Sequence, residues 1–481
     1  MSMSAVAYVN KSTWDGAKLK SSLVILALAL GIWFFPTPTG LTTQAWHLFA
    51  IFLTTIICIV AKPLPMGAVA IVSIAACVFT RTLTVEQTLS SFNSTTVWLI
   101  VIAFLLARGF IKTGLGARIA YYFVYFFGKS TLGLGYGLMF TEFLLAPFTP
   151  SNTARGAGII YPLVTSLSQQ FGSDPENNTQ RKMGSFLVTI CYHTNLITSA
   201  MFITATAANP MMVNFAKEFG VDITWLSWAK ATIVPGMISL MTLPLIIYYV
   251  FPPEVKHTPG AKDFAKERLK AMGPVSMNEK FMLSTFGLLL FLWMFGSMIN
   301  VDATAAAFLG LSLLLIGGVL TWDDILNERH AWDTFIWLTT LLMITSFLFK
   351  FGMITWFSEH MQAMVVGYSW PIALSVLLLA FYYSHYFFAS LTAHISSLYS
   401  AFTAVAIATG TPPMLACMTF AFMATLSACS THYGTGCGVV YFGTGYVSFQ
   451  RWWGIGALMG FVHMAIWGTI GLMWWKFIGM W

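Results

Sequence analysis

The sequence predicts an all-α polytopic membrane protein, with about 11 transmembrane helices and two re-entrant hairpins arranged as inverted repeats. Three observations predict it. Of 481 residues 57% are hydrophobic and only 9% charged, against about 25% charged in a soluble domain, so no ordinary wetted surface can form. Apolar stretches approaching the roughly 20 residues that cross a bilayer recur from end to end. Finally, two polar motifs inside apolar segments repeat about half a chain apart.

In order, the polar stretch 1–20 carries Lys11, Lys18 and Lys20 ahead of an apolar run. The small residues Ala27 to Ala29 lie inside that run rather than after it, so it reads as an uncleaved first helix and not a signal peptide. Crossings are expected at 21–36, 43–61, 64–81, 94–111, 183–206, 223–251, 282–299, 303–321, 333–351, 412–432 and 454–476. The gaps 117–172 and 362–405 are too apolar and aromatic for water-exposed loops. They read as interfacial helices followed by re-entrant hairpins, which are tolerated at membrane depth when buried in protein or lining a cavity.

With the N-terminus inside, most Lys and Arg fall on the cytoplasmic side, including the five basic residues between Lys256 and Lys270; Arg81, Lys217, Lys230, Lys350 and Lys476 dissent. The positive-inside rule accounts for the formal charge of +7 without an acidic partner or nucleic acid, and sets the C-terminus outside. The expected organisation is a cytoplasmic N-terminus at 1–20 and scaffold helices at 21–93, then a first repeat at 94–251 with its hairpin near 131–172. A cytoplasmic loop at 252–280, scaffold helices at 281–332 and a second repeat at 333–481 with its hairpin near 370–405 complete it.

The repeat rests on two matches. Trp98-Leu99 to Lys112-Thr113-Gly114 resembles Trp337-Leu338 to Lys350-Phe351-Gly352, and Ser151-Asn152-Thr153-Ala154-Arg155 pairs with Ser390-Leu391-Thr392-Ala393-His394 at nearly the same offset. By the span count the two Trp helices run in opposite directions. Inverted repeats with paired broken segments are the usual build of secondary transporters, whose substrate sits between discontinuous helices.

Short polar side chains prefer turns and caps to helix interiors, so Ser151 to Thr153 and Ser390 to Thr392 mark hairpin tips. Each tip offers hydroxyls and helix-start N–H groups to an anion, and two tips suit a ligand with two carboxylates. Packing glue between helices is the blander reading, but it leaves the pairing unexplained. Two further stretches, 198–210 and 430–446, are broken by Gly, Pro and Thr. They add Thr198, Ser199, Thr206, His432, Tyr433, Gly434 and Thr435 as candidate substrate contacts; His432 and Tyr433 could equally brace their loop.

The run Gly434 to Gly438 is no phosphate loop, since neither a Lys-Ser/Thr pair nor a strand accompanies it. Six cysteines show no CxxC spacing and read as small buried hydrophobes, with no disulfide framework, metal or cofactor expected. An intramembrane enzyme would need a nucleophile beside a base, and Ser430, His432 and Tyr433 lack a carboxylate partner.

The segments SNTARGAGIIYP, TSAMFITATAANP, HYFFASLTAHISSLY and THYGTGCGVVYFGTGY, in that order, resemble the divalent anion/sodium symporter family. The resemblance covers nearly the whole chain and is nearest to the exchanger branch of bacterial citrate/succinate and tartrate/succinate antiporters and the chloroplast 2-oxoglutarate/malate translocator. It implies a homodimer in an inner membrane, whose hairpin-bearing domain moves in an elevator cycle and carries di- or tricarboxylates. Ser151, Asn152 and Thr153 would bind one carboxylate, and Ser390, Leu391 and Thr392 the other. Leu391 departs from the symporter branch, which has a second Asn there. Arg155 and His394 would stand near the sodium sites of coupled relatives. An ionisable residue within the membrane is a functional candidate by default, so the two are read as fixed cations replacing sodium, His394 a pH-sensitive one. Unpaired, they would make empty return costly, which favours sodium-independent antiport over sodium symport. The alternative for Arg155 is a salt bridge to Glu142, and for His394 an ordinary hydrogen-bonded buried histidine.

Overall fold

A computed structural model describes residues 16–365 and 368–481; the N-terminal stretch expected in the cytoplasm lies outside them up to residue 15. The described residues are helical, with an isolated bridge between Ser130 and His257. Among the described residues, nine helices are long and apolar enough to cross a membrane. Six of the nine lie in expected crossing windows, and three, Thr131–Phe148, Trp370–Phe387 and Leu391–Ala408, lie in the segments expected as hairpins.

The first half runs α1 (Leu19–Trp33), α2 (Thr43–Ala61), α3 (Met66–Phe79), α4 (Val85–Leu89), α5 (Thr95–Thr113), α6 (Leu115–Phe127), α7 (Thr131–Leu145), α8 (Tyr161–Gln170), α9 (Gly184–Met201), α10 (Ala208–Glu218) and α11 (Trp225–Val250). After α12 (Gly260–Ala271) come α13 (Met277–Phe295), α14 (Ala303–Ile316), α15 (Trp322–Leu326), α16 (Arg329–Lys350), α17 (Met353–Val365), α18 (Trp370–Ser384), α19 (Leu391–His394) and α20 (Ser400–Ala408). The chain ends with α21 (Pro413–Leu426), α22 (Gly436–Gly443), α23 (Phe449–Ala465) and α24 (Leu472–Phe477).

The halves repeat in local structure. Helices α2 and α13 are both 19 residues, α3 and α14 both 14, α6 and α17 both 13, α7 and α18 both 15. Even the five-residue α4 and α15 correspond, each opened by a capping box, on Thr84 and on Thr321. In such a box the threonine hydroxyl and the side chain three residues on satisfy each other's backbone N–H, which fixes where a short helix starts.

Both segments expected as hairpins are helices broken by a tip. After α7 comes a 3₁₀ turn, Ala146–Phe148, then a tip, then the π-helical segment Ala154–Ile160 leading into α8. After α18 the same sequence of states follows: the 3₁₀ turn His385–Phe387, a tip, α19, and the π segment Ile395–Tyr399 leading into α20. π turns are rare and concentrate at functional sites.

Partners are exchanged between repeats. Tyr441 of α22 donates to the Gly156 carbonyl of the first hairpin at 3.0 Å, while Phe215 of α10 stacks on Tyr399 of the second hairpin, centroids 6.2 Å apart. Each hairpin thus packs on the helix that follows the other repeat's broken segment, as a two-fold relation between repeats requires. Outside this centre, α16 packs on α2, α3 and α5, and α14 on α5 and α13. Large apolar side chains such as Leu23, Val24, Phe79, Phe126, Ile316 and Phe461 are exposed, a surface that suits lipid tails rather than water.

The segment joining the halves is tied down. Arg118 of α6, buried, gives a bidentate pair to Glu279 at the start of α13 and bonds the carbonyls of Met272 and Gly273. Burial pulls the Glu279 carboxyl up, but the hydrogen bonds from Arg118 and Ser276 outweigh it and hold the group below its ordinary range.

Candidate functional site

At the first tip, Ser151 Oγ accepts the Ala154 N–H at 3.1 Å and Asn152 Oδ1 accepts the Thr153 N–H at 2.9 Å. At the second, Ser390 Oγ accepts the Ala393 N–H at 3.5 Å. Ser151 and Ser390 are therefore helix caps, and Ser151, Asn152, Thr153, Ser390 and Thr392 are half-buried at the tips. Leu391 is buried in the apolar core, so its side chain has nothing to offer a carboxylate.

The loop between α21 and α22 brings the tips together. A Cβ on Gly436 would lie 2.7 Å from Thr153 Oγ1, and one on Gly434 would lie 2.5 Å from His385 Nε2. Any larger residue at either position would push a tip away. Thr435 caps α22, accepting the Gly438 N–H at 3.0 Å. Tyr433 donates to the Tyr386 carbonyl at 2.8 Å, and His432 Nδ1 accepts from Trp453 at 3.2 Å. In this arrangement His432 and Tyr433 brace the loop against its neighbours.

Arg155 is fully buried, and all its nitrogens have partners. Nε donates to Glu142 Oε1 at 2.6 Å, Nη1 to the carbonyls of Thr149 and Ala205 at 2.7 and 3.0 Å, and Nη2 to Ser199 Oγ at 2.8 Å. The expectation of an unpaired charge is corrected here: a buried guanidinium without a counter-ion would be prohibitively costly, and Glu142 supplies one. The Arg155 charge remains, inside a cage of carbonyls and a hydroxyl drawn from the hairpin and the first broken helix.

His394 occupies the matching position with different chemistry. It is buried, stacks on Phe381 at 4.4 Å, and its Nε2 faces Ser384 Oγ at 2.9 Å and the Phe381 carbonyl at 3.1 Å. Glu142 and Phe381 are equivalent as well, each 13 residues before the basic residue. One repeat therefore carries an ion pair where the other carries a ring stack.

Of the remaining predicted residues, Thr198 bonds inside α9 to the Asn195 carbonyl, Ser199 is turned to Arg155, and Thr206 lies in extended backbone just before α10. Sequence reasoning missed Asn195. Its Nδ2 donates to Glu142 Oε1 at 2.6 Å and to the Asn152 carbonyl at 3.0 Å, joining the ion pair to the tip. It missed Asn209 too, which donates to the carbonyls of Ser199 and Phe202 and so holds the unwound segment open. Two amides in otherwise apolar surroundings were the available signal.

The arrangement can hold an anion between two capped tips and an already occupied cation cage. Comparison with known proteins agrees with a carrier. The sequence profile described as "Sodium:sulfate symporter transmembrane region" matches residues 16–481. YflS of Bacillus subtilis, named as a candidate malate transporter, is 53% identical over 97% of this chain and 98% of its own. Dicarboxylate transporter 1 of spinach chloroplasts is 49% identical over 97% of this chain and 83% of its own, and the citrate/succinate antiporter of Escherichia coli K12 is 34% identical over 96% and 98%. The crystal structure of the YdaH transporter of Alcanivorax borkumensis superposes with a TM-score of 0.58 over 96% of this chain and 98% of that one. Its 8% identity makes it evidence for the fold alone.

Proposed function

The chain belongs to the sodium:sulfate symporter transmembrane family, and from that membership we propose that it exchanges di- or tricarboxylates across a bacterial inner membrane without sodium. The C4-dicarboxylates and 2-oxoglutarate are the first candidates. It is a multi-span transporter and not an enzyme. In the proposed cycle Ser151, Asn152 and Thr153 hold one carboxylate. Ser390, Thr392 and the loop 431–435 hold the other, and the hairpin-bearing domain of a homodimer moves as an elevator with its N-terminus in the cytoplasm.

The observation that carries the reading is the Arg155 guanidinium in the cage of Thr149 O, Ala205 O and Ser199 Oγ. Carbonyls and hydroxyls are what a sodium ion would need as ligands, and a fixed cation already fills them. Without a travelling cation, a dianion entering alone moves two charges through the membrane potential, at about 2.3 kcal/mol per charge per 100 mV. Exchange of dianion for dianion cancels that term.

The test is uptake of labelled succinate and 2-oxoglutarate into proteoliposomes, empty or preloaded with unlabelled dicarboxylate, with and without sodium. Uptake only into preloaded vesicles, indifferent to sodium, is expected. Sodium-driven uptake into empty vesicles would overturn exchange in favour of symport.

A further inference from the structure

Behind the second broken segment lies a cluster that the transport reading leaves unused. His193 of α9, Cys429 just after α21 and His463 of α23 each offer one ligand atom, and these atoms lie within 4.8 Å of one another. His463 and Cys429 are wholly buried and His193 nearly so. His193 Nδ1 and both ring nitrogens of His463 have no hydrogen-bond partner. Cys429 Sγ is hydrogen-bonded to the Tyr382 hydroxyl at 3.3 Å and to the Gly456 carbonyl at 3.5 Å. Buried polar atoms in folded proteins are nearly always satisfied, so this much unmet donor capacity at one point asks for an explanation.

We propose that His193, Cys429 and His463 form a three-coordinate site for a soft monovalent cation, Cu(I), that clamps the two broken helices together. Thiolate and imidazole are ligands for soft and borderline ions, and the cluster holds no carboxylate to favour a hard one. Charge selects among them. Cu(I) with one thiolate and two neutral imidazoles is net neutral, whereas Zn(II) would leave an uncompensated positive charge in an apolar interior. Bonds of about 2.0–2.3 Å in a trigonal plane separate ligand atoms by roughly 3.5–4 Å, so the observed spacing closes with small side-chain shifts. Binding releases the Cys429 thiol proton to bulk water.

The packing explains how residues so far apart in sequence converge. A Cβ on Gly456 would lie 2.4 Å from the Cys429 carbonyl oxygen, so glycine there lets α23 approach closely. His463 lies two turns further along the same face of α23. The neighbouring Tyr192 hydroxyl already bonds the carbonyls of Ala428 and Thr431. A bound ion would reinforce that link, fixing α9 to the loop that meets both hairpin tips. The site departs from the sequence expectation of no metal, which rested on the absence of closely spaced ligands.

The test uses the purified full-length protein, loaded anaerobically with Cu(I) against bicinchoninate as competing chelator and then desalted. Copper is quantified beside Cys429→Ser and His463→Gln, whose folding is checked by gel filtration and melting temperature without metal. About one more copper per chain is expected in the wild type than in either variant, with a metal-dependent rise in melting temperature in the wild type alone. X-ray absorption of the wild type should give a shell of one sulfur and two nitrogens, an observation that stands even where a variant fails to fold. Equal copper in the wild type and the folded variants, or an all-sulfur shell, would overturn the site. Retention of Zn(II) with exclusion of Cu(I) would overturn the ion assigned to it.

Discussion

In the proposed exchange Arg155 combines a structural and a functional role that separate on mutation. Removing one partner of a buried ion pair strands the other at a cost of about 3–5 kcal/mol. Arg155→Ala should therefore lower the melting temperature sharply and abolish counterflow. Replacing both partners, Arg155→Met with Glu142→Gln, removes the stranded charge; melting should largely recover while counterflow stays lost, and recovery of transport in the double variant would deny the guanidinium its role as cation. At the tip, Ser151→Ala deletes a cap worth about 1 kcal/mol together with a proposed carboxylate donor, so half-saturation by succinate should rise several-fold with little loss of folded protein. Ser151→Thr should retain both functions. These tip residues were legible because consecutive short polar side chains stand out in apolar sequence. Asn195 was not, because its importance comes from where Glu142 and the Asn152 carbonyl lie in space, some 53 and 43 residues away in sequence.

Among elements, the apolar runs were readable because the bilayer imposes length and composition directly on sequence. The hairpins were readable because two turn motifs interrupt apolar arms. The π segments were not, since no residue type specifies a π turn; nor was the exchange of packing partners between Gly156 and Tyr441 and between Phe215 and Tyr399. That exchange depends on close approach. A Cβ on Gly156 would come within 2.5 Å of Cys437 Sγ, so Gly156→Ala should push the first hairpin off α22 and depress counterflow at least tenfold, by an order-of-magnitude reading of overpacking costs of about 1–3 kcal/mol. Adding Cys437→Ala removes the obstructing sulfur and should restore much of the rate, measured as initial counterflow in matched vesicles. A second element-level prediction concerns the Arg118–Glu279 tie. Because Glu279 is held below its ordinary range, its contribution is fully present above the unfolded value near 4.5 and fades as pH falls through the folded one. Thermal melts from pH 7 downward should show the wild type's advantage over Glu279→Gln constant until about pH 4.5 and shrinking below it.

For the whole molecule the question is why an empty carrier should not return. The charge argument suggested by sequence does not survive the Arg155–Glu142 pair, but polar groups still oppose the empty crossing. In the proposed cycle, water solvates the hydroxyls and amides of each tip when the site is open, and a bound anion engages them when it is sealed. Sealing the empty site would strand several of them at about 1–3 kcal/mol each, enough to slow return by orders of magnitude. In the proposed exchange, loaded with a dianion on both legs, the cycle would move no net charge and carry no sodium. An imposed potassium diffusion potential of either sign should therefore leave dicarboxylate-for-dicarboxylate counterflow unchanged, and an inside-positive potential should fail to accumulate succinate in empty vesicles. At roughly 100 mV a dianion uniporter would gain about 4.6 kcal/mol from that potential, more than a thousandfold in equilibrium accumulation. Accumulation on that scale would mean that the empty carrier returns freely, and the stranded-group account of exchange would have to be abandoned.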